Sequence, residues 1–423
     1  MTSPVAELEL SEEDEAALAG ARGEAARLCL RMVVALARVR EAPRLLTVQS
    51  AHVDGCLYHG QAGLDFVERL GELAGRVAVP TTLNVGSLDL RHPDLVRADP
   101  ETAAGARRQM AAYTALGCTP TWTCAPYQLT HRPAFGTHVA WAESNAIVFA
   151  NSVLGARTDR YGDFLDIAAA ITGRVPDAGL HRDENRRATV RLDCAVLSPR
   201  LLAEDAAWGV LGHLAGRLAG SGVPVVTGVA SEVTEDQLKA FGAAAASSGG
   251  VGLFHVAGVT PEAPTPEAVA APGIPVHVAE AAQLRAVRDE LTTARGAAID
   301  ALCLGTPHFS LTEFARLAAL LGKGEPFRVP AYVTTSRAVL VEAERLGYAE
   351  TVRAAGGRIV VDTCTYLTPI VEEDVRTAMT NSGKWAWYAP GNVGVAVVFG
   401  SLAECVASAR AGRVVRDEAL WAS

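Results

Sequence analysis

Past residue 188 the chain alternates short apolar segments with amphipathic segments of helical length. The short segments are rich in Val, Ile, Leu and Ala, and they cover residues 189–197, 223–229, 251–256, 276–279, 299–304, 331–334 and 358–361. The amphipathic segments repeat apolar residues every three to four positions, as helices do, and they cover residues 234–245, 280–291, 311–321 and 336–346. This alternation predicts βαβ units and an α/β fold with parallel sheet flanked by helices.

The pattern before residue 189 is less regular. It predicts a helix over residues 11–40, because Ser11 and the acidic residues after it suit a helix N-terminus. It also predicts a strand over 45–49, a strand leading into a loop over 80–88, and a helix over 101–116. We therefore expect two regions, 1–188 and 189–423. The linker-like stretch 261–272 has four prolines and is interpreted as a surface connection inside a domain.

Composition and charge exclude several classes of protein. The net charge of −9 leaves no basic stripe for phosphates, so we expect no nucleic-acid partner. The longest apolar stretches are too short to span a bilayer, and the acidic start lacks the features of a signal peptide. We expect a cytoplasmic protein whose eight cysteines are thiols. Cys29, Cys194 and Cys405 have apolar neighbours and are interpreted as buried small side chains.

The candidate chemistry lies in five polar or cysteine-bearing stretches that have neither helical nor strand periodicity. Three of them follow predicted strands, where open α/β sheets bind ligands. These stretches are residues 49–56, 117–127, 141–157, 303–310, and 362–365 with 381–385. They bring together thiols, hydroxyls, amides and two cations. Thiolates favour iron–sulfur or zinc chemistry. The chain has no C-x-x-C pair, so dispersed cysteines gathered at strand ends fit better than a zinc ribbon.

Other reaction classes lack their motifs. There is no G-x-G-x-x-G after the first strand, no phosphate-binding Walker sequence and no G-x-S-x-G elbow. The histidines that could ligate a metal are His52, His59, His131, His138 and His308, but none forms an H-E-x-x-H pair. His52 and His308 are favoured because each closely follows a predicted strand.

Several of these stretches together resemble the aconitase X family. The segments that carry the resemblance are Ala51-His52 with Gly55, TCAPY at 123–127, ESNA at 143–146, NSVLGAR at 151–157, GTPHFS at 305–310, DTC at 362–364 and NSGK at 381–384. The match runs in order along nearly the whole chain. It implies an aconitase-like, multidomain α/β fold with parallel or mixed sheets, and an iron–sulfur cluster or mononuclear iron.

The resemblance also implies metal ligands. Cys124 and Cys364 match positions that the family uses for the metal. Archaeal relatives typically carry a cysteine where this chain has Thr306, so the third ligand stays open. Cys303, at the end of the same predicted strand, is the first substitute, and Cys56 and Cys118 are the other candidates.

The family segments assign further roles by resemblance. His52, Ser144, Asn145, His308 and Lys384 are the expected catalytic residues, and Asn151, Ser152, Arg157, Ser382 and Lys384 the expected substrate-binding residues. Arg157 and Lys384 would anchor a carboxylate. Their alternatives are a structural ion pair for Arg157 and a solvated loop cation for Lys384.

The implied reaction is dehydration of a small hydroxy carboxylic acid. The first substrate hypothesis is cis-3-hydroxy-L-proline, converted to Δ1-pyrroline-2-carboxylate, and the alternative is phosphomevalonate. The family also has a small swivelling domain with a glycine- and serine-rich loop, and the chain contains no such segment. We therefore expect a large subunit that needs a separate small subunit. An iron–sulfur binding or regulatory subunit without turnover is the alternative from another class.

Overall fold

The computed structural model describes residues 8–230 and 232–422. By their internal contacts these residues form two units. The first unit comprises the chain up to Ser87 and Asp99–Arg187, and the second comprises Leu88–Ala98 and the chain from Ala188 onward. The segment Leu88–Ala98 belongs to the second unit because its backbone is hydrogen-bonded to that unit, for example from Arg97 N to Pro369 O at 2.9 Å.

The first unit contains short strands packed with helices. Its helices are α1 Glu12–Leu18, α2 Glu24–Val39, α3 Gln61–Glu72, α4 Pro100–Ala115, α5 Ser144–Ser152 and α6 Leu165–Thr172. Its strands are β1 Leu45–Thr47, β2 Ala51–Val53, β3 Thr81–Leu83, β4 Ala140–Trp141 and β5 Arg174–Pro176. Strand β2 is the centre of a parallel sheet ordered β3-β2-β4, and β1 pairs antiparallel with β5.

The second unit contains the βα repeats. Its helices are α7 Pro199–Leu202, α8 Asp205–Ala219, α9 Glu235–Ser248, α10 Pro266–Val269, α11 Ala281–Glu290, α12 Leu311–Leu321, α13 Arg337–Arg345, α14 Tyr348–Ala354, α15 Gly383–Asn392 and α16 Leu402–Ala411. Its strands are β6 Val190–Asp193, β7 Pro224–Thr227, β8 His255–Val256, β9 Val276–Val278, β10 Ala301–Phe309, β11 Ala331–Thr335, β12 Gly357–Val360, β13 Thr377–Thr380 and β14 Ala396–Phe399.

These strands form two parallel sheets, as the alternation predicts. One sheet has the order β8-β7-β6-β9, and the other has the order β12-β11-β10-β13-β14. Strand β10 is the centre of the five-stranded sheet and is buried along its whole length. Its core includes Leu302, Leu304 and Phe309, which pack against the helices that follow. The α/β fold with parallel and mixed sheets is confirmed.

Several element boundaries differ from the pattern-based prediction. Residues 11–40 form two helices, because the chain takes positive φ angles at Gly20 and Gly23. Residues 51–53 form strand β2, where the pattern predicted a loop, and residues 144–152 form helix α5, where the pattern showed no periodicity. The proline-rich stretch 261–272 contains the short helix α10. Across the described residues, no helix combines the length and the apolar character needed to cross a bilayer.

Candidate functional site

Strand β10 departs from regular pairing just before its last residue. It pairs with β11 at Leu302, Cys303 and Leu304, and pairing resumes only at Phe309, opposite Thr335. Gly305 takes a φ of 90°, and a side chain there would overlap the carbonyl oxygen of Thr334. Only glycine fits this close approach without strain. The irregularity places residues 305–308, including His308, outside the regular ladder.

His308 and Cys364 form a buried pair of ligand-type side chains. A ring nitrogen of His308 and Sγ of Cys364 lie within 4.8 Å of each other. His308 Nε2 donates to the carbonyl oxygen of Thr363 at 3.1 Å, so the lone pair is on Nδ1. Burial lowers the pKa of His308 to about 4, which keeps the ring neutral near pH 7. A thiol beside a neutral imidazole is a donor set suited to iron or zinc.

The backbone before Cys364 is held by a buried carboxylate. Asp362, with a φ of 66°, accepts two hydrogen bonds from Arg337, both at 2.6 Å. It also accepts from Leu90 N at 3.2 Å. Asp89 accepts from Val361 N at 3.0 Å, one residue earlier. This bidentate ion pair fixes the turn that presents Cys364, since a planar guanidinium fork constrains both partners.

Cys303 is not part of the His308–Cys364 pair. Among the described residues, the sulfur of Cys303 does not lie within 4.8 Å of both the His308 ring nitrogen and the Cys364 sulfur. Its thiol is buried next to Thr365, and burial raises its pKa to about 12. The role of Cys303 as a third ligand stays a prediction. The position of its sulfur, away from the His308–Cys364 pair, does not support it.

Lys384 and Ser382 lie at the start of helix α15. Ser382 Oγ caps the helix by accepting from Trp385 N at 3.0 Å and donates to the carbonyl oxygen of Thr306. Lys384 is only 4% exposed, and its charge helps lower the pKa of His308. Lys384 is therefore a buried helical cation near His308 and not a solvated loop residue. Thr306 Oγ1 is buried and has no hydrogen-bond partner among the described residues.

His52 lies in the centre of the first unit's three-stranded sheet. It is fully buried, and burial lowers its pKa to about 3. Its Nδ1 lies 2.8 Å from Thr82 Oγ1. Its Nε2 is buried and has no hydrogen-bond partner within the described chain. Because an unsatisfied buried polar atom is costly, it marks a place where a ligand or water is expected.

Asn145 holds the loop that carries Cys124. Its Nδ2 donates to the carbonyl oxygen of Cys124 at 3.0 Å and to the hydroxyl of Tyr127 at 2.9 Å. Tyr127 in turn stacks on Phe149, with ring centroids 3.5 Å apart. Asn145 Oδ1 is buried and lacks a partner among the described atoms. Asn145 thus positions Cys124 and still has one unused acceptor.

Ser144 lies next to the residue that caps helix α5. Its Oγ donates to Glu143 Oε1 at 3.1 Å, and Glu143 Oε2 accepts from Ala146 N at 2.9 Å. Glu143 has a φ of 69°, an uncommon conformation for a residue with a side chain. Glu143 lies in the family segment 143–146 but had no predicted role, because glutamate is not among the usual helix-capping residues.

Asn151 and Arg157 use their polar atoms inside the first unit. Asn151 accepts from Thr158 N at 3.0 Å and from Arg186 at 3.1 Å, and it donates to Thr158 O at 2.9 Å. Arg157 donates to the carbonyl oxygen of His181 at 3.0 Å and pairs with Asp183. These contacts match the ion-pair alternative for Arg157.

Ser152 and the two remaining cysteine candidates are also buried. Ser152 is 2% exposed at the end of helix α5. Cys56 Sγ donates to the carbonyl oxygen of Asn84 at 3.4 Å, and burial raises its pKa well above the usual value. Burial likewise raises the pKa of Cys118 to about 12. Both thiols are protonated in these surroundings.

Comparison with known protein families identifies the chain. The model of the aconitase X first domain matches residues 7–184, that of the second domain residues 187–289, and that of the third domain residues 299–411. The chain belongs to the aconitase X family. The family resemblance seen in the sequence is therefore confirmed.

Individual relatives agree with this assignment. A protein from Pseudomonas aeruginosa named cis-3-hydroxy-L-proline dehydratase is 45% identical over 420 residues, which are 97% of this chain and 71% of the relative. A phosphomevalonate dehydratase large subunit from Methanothermobacter thermautotrophicus is 39% identical and matches 93% of this chain and 97% of its own length. Both names are those of dehydratases, so the enzyme class expected for the family is confirmed.

A solved structure confirms the aconitase X fold. The chain superposes on a crystal structure of Thermococcus kodakaraensis aconitase X in its holo-form with a TM-score of 0.84 and 36% sequence identity. The superposition covers 95% of this chain and 100% of that chain.

Proposed function

We propose that this aconitase X chain is the large subunit of a hydro-lyase that dehydrates cis-3-hydroxy-L-proline to Δ1-pyrroline-2-carboxylate. The observation that carries the proposal is the buried His308–Cys364 pair in a chain 45% identical to a protein named for that activity. The proposed iron ligands are Cys364 and Cys124, with His308 at the ring nitrogen that keeps its lone pair. An iron–sulfur cluster and a mononuclear iron both suit these donors.

The donor chemistry fits the expected metal. Cys364 and His308 are 1% and 0% exposed, and the second nitrogen of His308 is bound to a backbone carbonyl, as it is in most histidines that ligate metals. When bound, the iron centre supplies a Lewis acid for a hydroxyl group. Cys124 is held in place by Asn145, whose Nδ2 donates to the carbonyl oxygen of Cys124.

The protein's own residues would bind the substrate and its departing hydroxyl. Lys384 offers a buried positive charge for the carboxylate, and Ser382 holds the start of its helix. In the proposed arrangement Thr82 donates to His52 Nδ1, so the neutral ring has its proton on Nε2 and donates a hydrogen bond to the departing hydroxyl. Ser144, Asn145, Asn151, Ser152 and Arg157 would shape the surroundings of the site.

Phosphomevalonate remains the second candidate substrate, because a relative named for it matches this chain closely. The chain matches 97% of an archaeal phosphomevalonate dehydratase large subunit but only 71% of the P. aeruginosa hydroxyproline relative. Its sequence identity favours the hydroxyproline enzyme. The proposed small-subunit partner is supported by the name of the archaeal relative, which is a large subunit. Cytoplasmic location and a heterodimer belong to the same proposal.

The proposal is tested by reconstitution. The chain is loaded with iron and sulfide under anaerobic conditions and mixed with the unmatched part of the P. aeruginosa relative, expressed as a separate polypeptide. Loss of water is then measured with cis-3-hydroxy-L-proline and with phosphomevalonate. Turnover of the first acid is expected. Turnover of phosphomevalonate alone would support the alternative substrate, and iron binding without turnover of either acid would support a non-catalytic subunit.

A further inference from the structure

Three charged side chains are buried together beside strand β10, and we call Lys239, Asp236 and Glu313 the Lys239 cluster. Lys239 is 3% exposed, Asp236 7% and Glu313 7%. Lys239 Nζ pairs with Glu313 and lies 3.2 Å from Asp236. Burial opposes the charge on Lys239, but the two carboxylates outweigh it and raise its pKa to about 12. The cluster therefore carries a permanent cation.

The cluster joins two helices and the end of β10. Lys239 and Asp236 lie on α9, and Glu313 lies in the first turn of α12. Glu313 accepts from Ser310 N at 2.8 Å, and Asp236 accepts from Ser310 Oγ at 3.0 Å. The chain is thus held just after Phe309, immediately beyond His308.

The cation of the cluster also reaches His308 itself. Lys239 Nζ donates to the carbonyl oxygen of His308 at 3.4 Å. On the other side, the ring of His308 donates to Thr363 O at 3.1 Å. His308 lies in the part of β10 where the register with β11 shifts. The contact with Lys239 links this part of the strand to helix α9.

We propose that Lys239 is a positioning residue that fixes the backbone of His308, and through it the direction of the imidazole toward Cys364. The inference rests on the proposed metal-binding role of that pair. Burying three charges is costly, and replacement by apolar residues of similar size is often neutral or stabilising. A role in orienting a ligand explains why the charges lie at this strand end.

The experiment compares two variants that differ only at Lys239. Glu313→Gln keeps Lys239, its contact with Asp236 and a side chain able to accept from Ser310 N. Lys239→Met combined with Glu313→Gln removes one basic and one acidic side chain of the cluster. Burial raises the pKa of Glu313 to about 7, so the spectra are compared above that pH, where the net charge of the cluster stays unchanged. A half-buried ion pair of the first unit, Arg174 with Asp14, is replaced by Met and Asn as a remote control.

The first readout is the ¹⁵N spectrum of histidine-labelled, metal-free protein, in which the His308 signals are assigned by their loss in His308→Gln. We expect Glu313→Gln and the remote control to keep the His308 signals of the wild type. The double variant is expected to shift them toward a mixture of tautomers. Unchanged His308 signals in a folded double variant would overturn the proposal.

The second readout is iron affinity with the visible absorption of the loaded chain. Loss of groups that orient metal ligands typically costs about 10–100-fold in affinity, and we expect a loss of that order in the double variant alone. If the double variant does not fold, Lys239→Gln takes its place with an intermediate shift expected, and no shift would contradict the role. A wild-type chain that binds no iron would refute the metal site, while the metal-free spectra would still decide the positioning role.

Discussion

Two family segments differ in how their polar atoms are used. In the segment 151–157 of the first unit, Asn151 and Arg157 already bind neighbours within the unit. At the end of β10 in the second unit, Thr306 has a buried hydroxyl without a partner among the described residues, and His308 lies beside Cys364 as a pair of metal-ligand side chains. Both segments carry the family pattern, but the first uses its polar atoms in internal hydrogen bonds, whereas the second combines an unsatisfied hydroxyl with two side chains that can bind a metal.

The largest effect is expected from Cys364→Ala. Without this thiol the pair at the end of β10 loses its sulfur donor, so bound iron, its visible absorption and dehydratase activity should all disappear. Cys405→Ala is the matched control, because Cys405 is a fully buried thiol in a core cluster of the same unit and lies outside the pair. A Cys364→Ala protein that keeps its colour would refute the ligand assignment.

A smaller effect is expected from Asn145→Ala, and it sharpens the contrast with Asn151→Ala. Asn145 holds the backbone of Cys124, so its loss should lower iron affinity and activity by about 10–100-fold, as for other groups that support metal ligands. Asn151→Ala removes three internal hydrogen bonds and should mainly lower the free energy of unfolding, by about 1–3 kcal/mol.

Iron titration and chemical denaturation of both asparagine variants separate these effects. Equal losses of iron affinity in the two variants would mean that the segments do not differ in role.

The pH dependence of stability should report His308. Its pKa in the folded chain is lowered from 6.5 to about 4 by burial, so between these values the unfolded chain binds more protons. The free energy of unfolding should therefore fall as the pH drops from about 6.5 toward 4. Urea denaturation at a series of pH values should give a flatter dependence for His308→Gln in the metal-free chain. An unchanged slope would show that His308 is not the buried neutral ring described.

The smallest effect is expected from Arg157→Gln. Its partner Asp183 has a side chain that is 83% exposed, and exposed ion pairs contribute about 0–1 kcal/mol. The Michaelis constant for the hydroxy acid should stay within about twofold, as expected where a charge does not touch substrate. A rise of tenfold or more would restore Arg157 as a carboxylate anchor and remove the contrast between the two segments.

The fold was largely predictable, because the second unit has regular alternation and its buried strands are apolar. Helix α12 occupies the predicted residues 311–321. The prediction ended β10 at residue 304, because Gly305 and Pro307 are typical strand breakers. The strand continues to Phe309 since its tertiary pairing with Thr335 outweighs local propensity. Strand β2 has only three residues, too few to show a period.

The site was predictable only in part. The family segments picked out Cys364, His308 and Lys384, which the second unit brings together. No pattern in the sequence indicated the Lys239 cluster. Lys239 and Glu313 are separated by 74 positions, and each alone resembles a charged residue on the surface of a helix. Likewise, no sequence pattern tells that the polar atoms of Asn151 are satisfied internally. Such partnerships arise from tertiary packing and not from local periodicity.

We propose above all that iron is bound by the imidazole of His308, at the end of β10, and by the thiolate of Cys364, in the loop after β12. X-ray absorption at the iron edge of the reconstituted chain tests it most directly. The expected spectrum contains sulfur scatterers together with a histidine nitrogen that disappears in His308→Gln. A spectrum of wild-type protein with only oxygen and nitrogen neighbours, or one unchanged by both His308→Gln and Cys364→Ala, would contradict the claim.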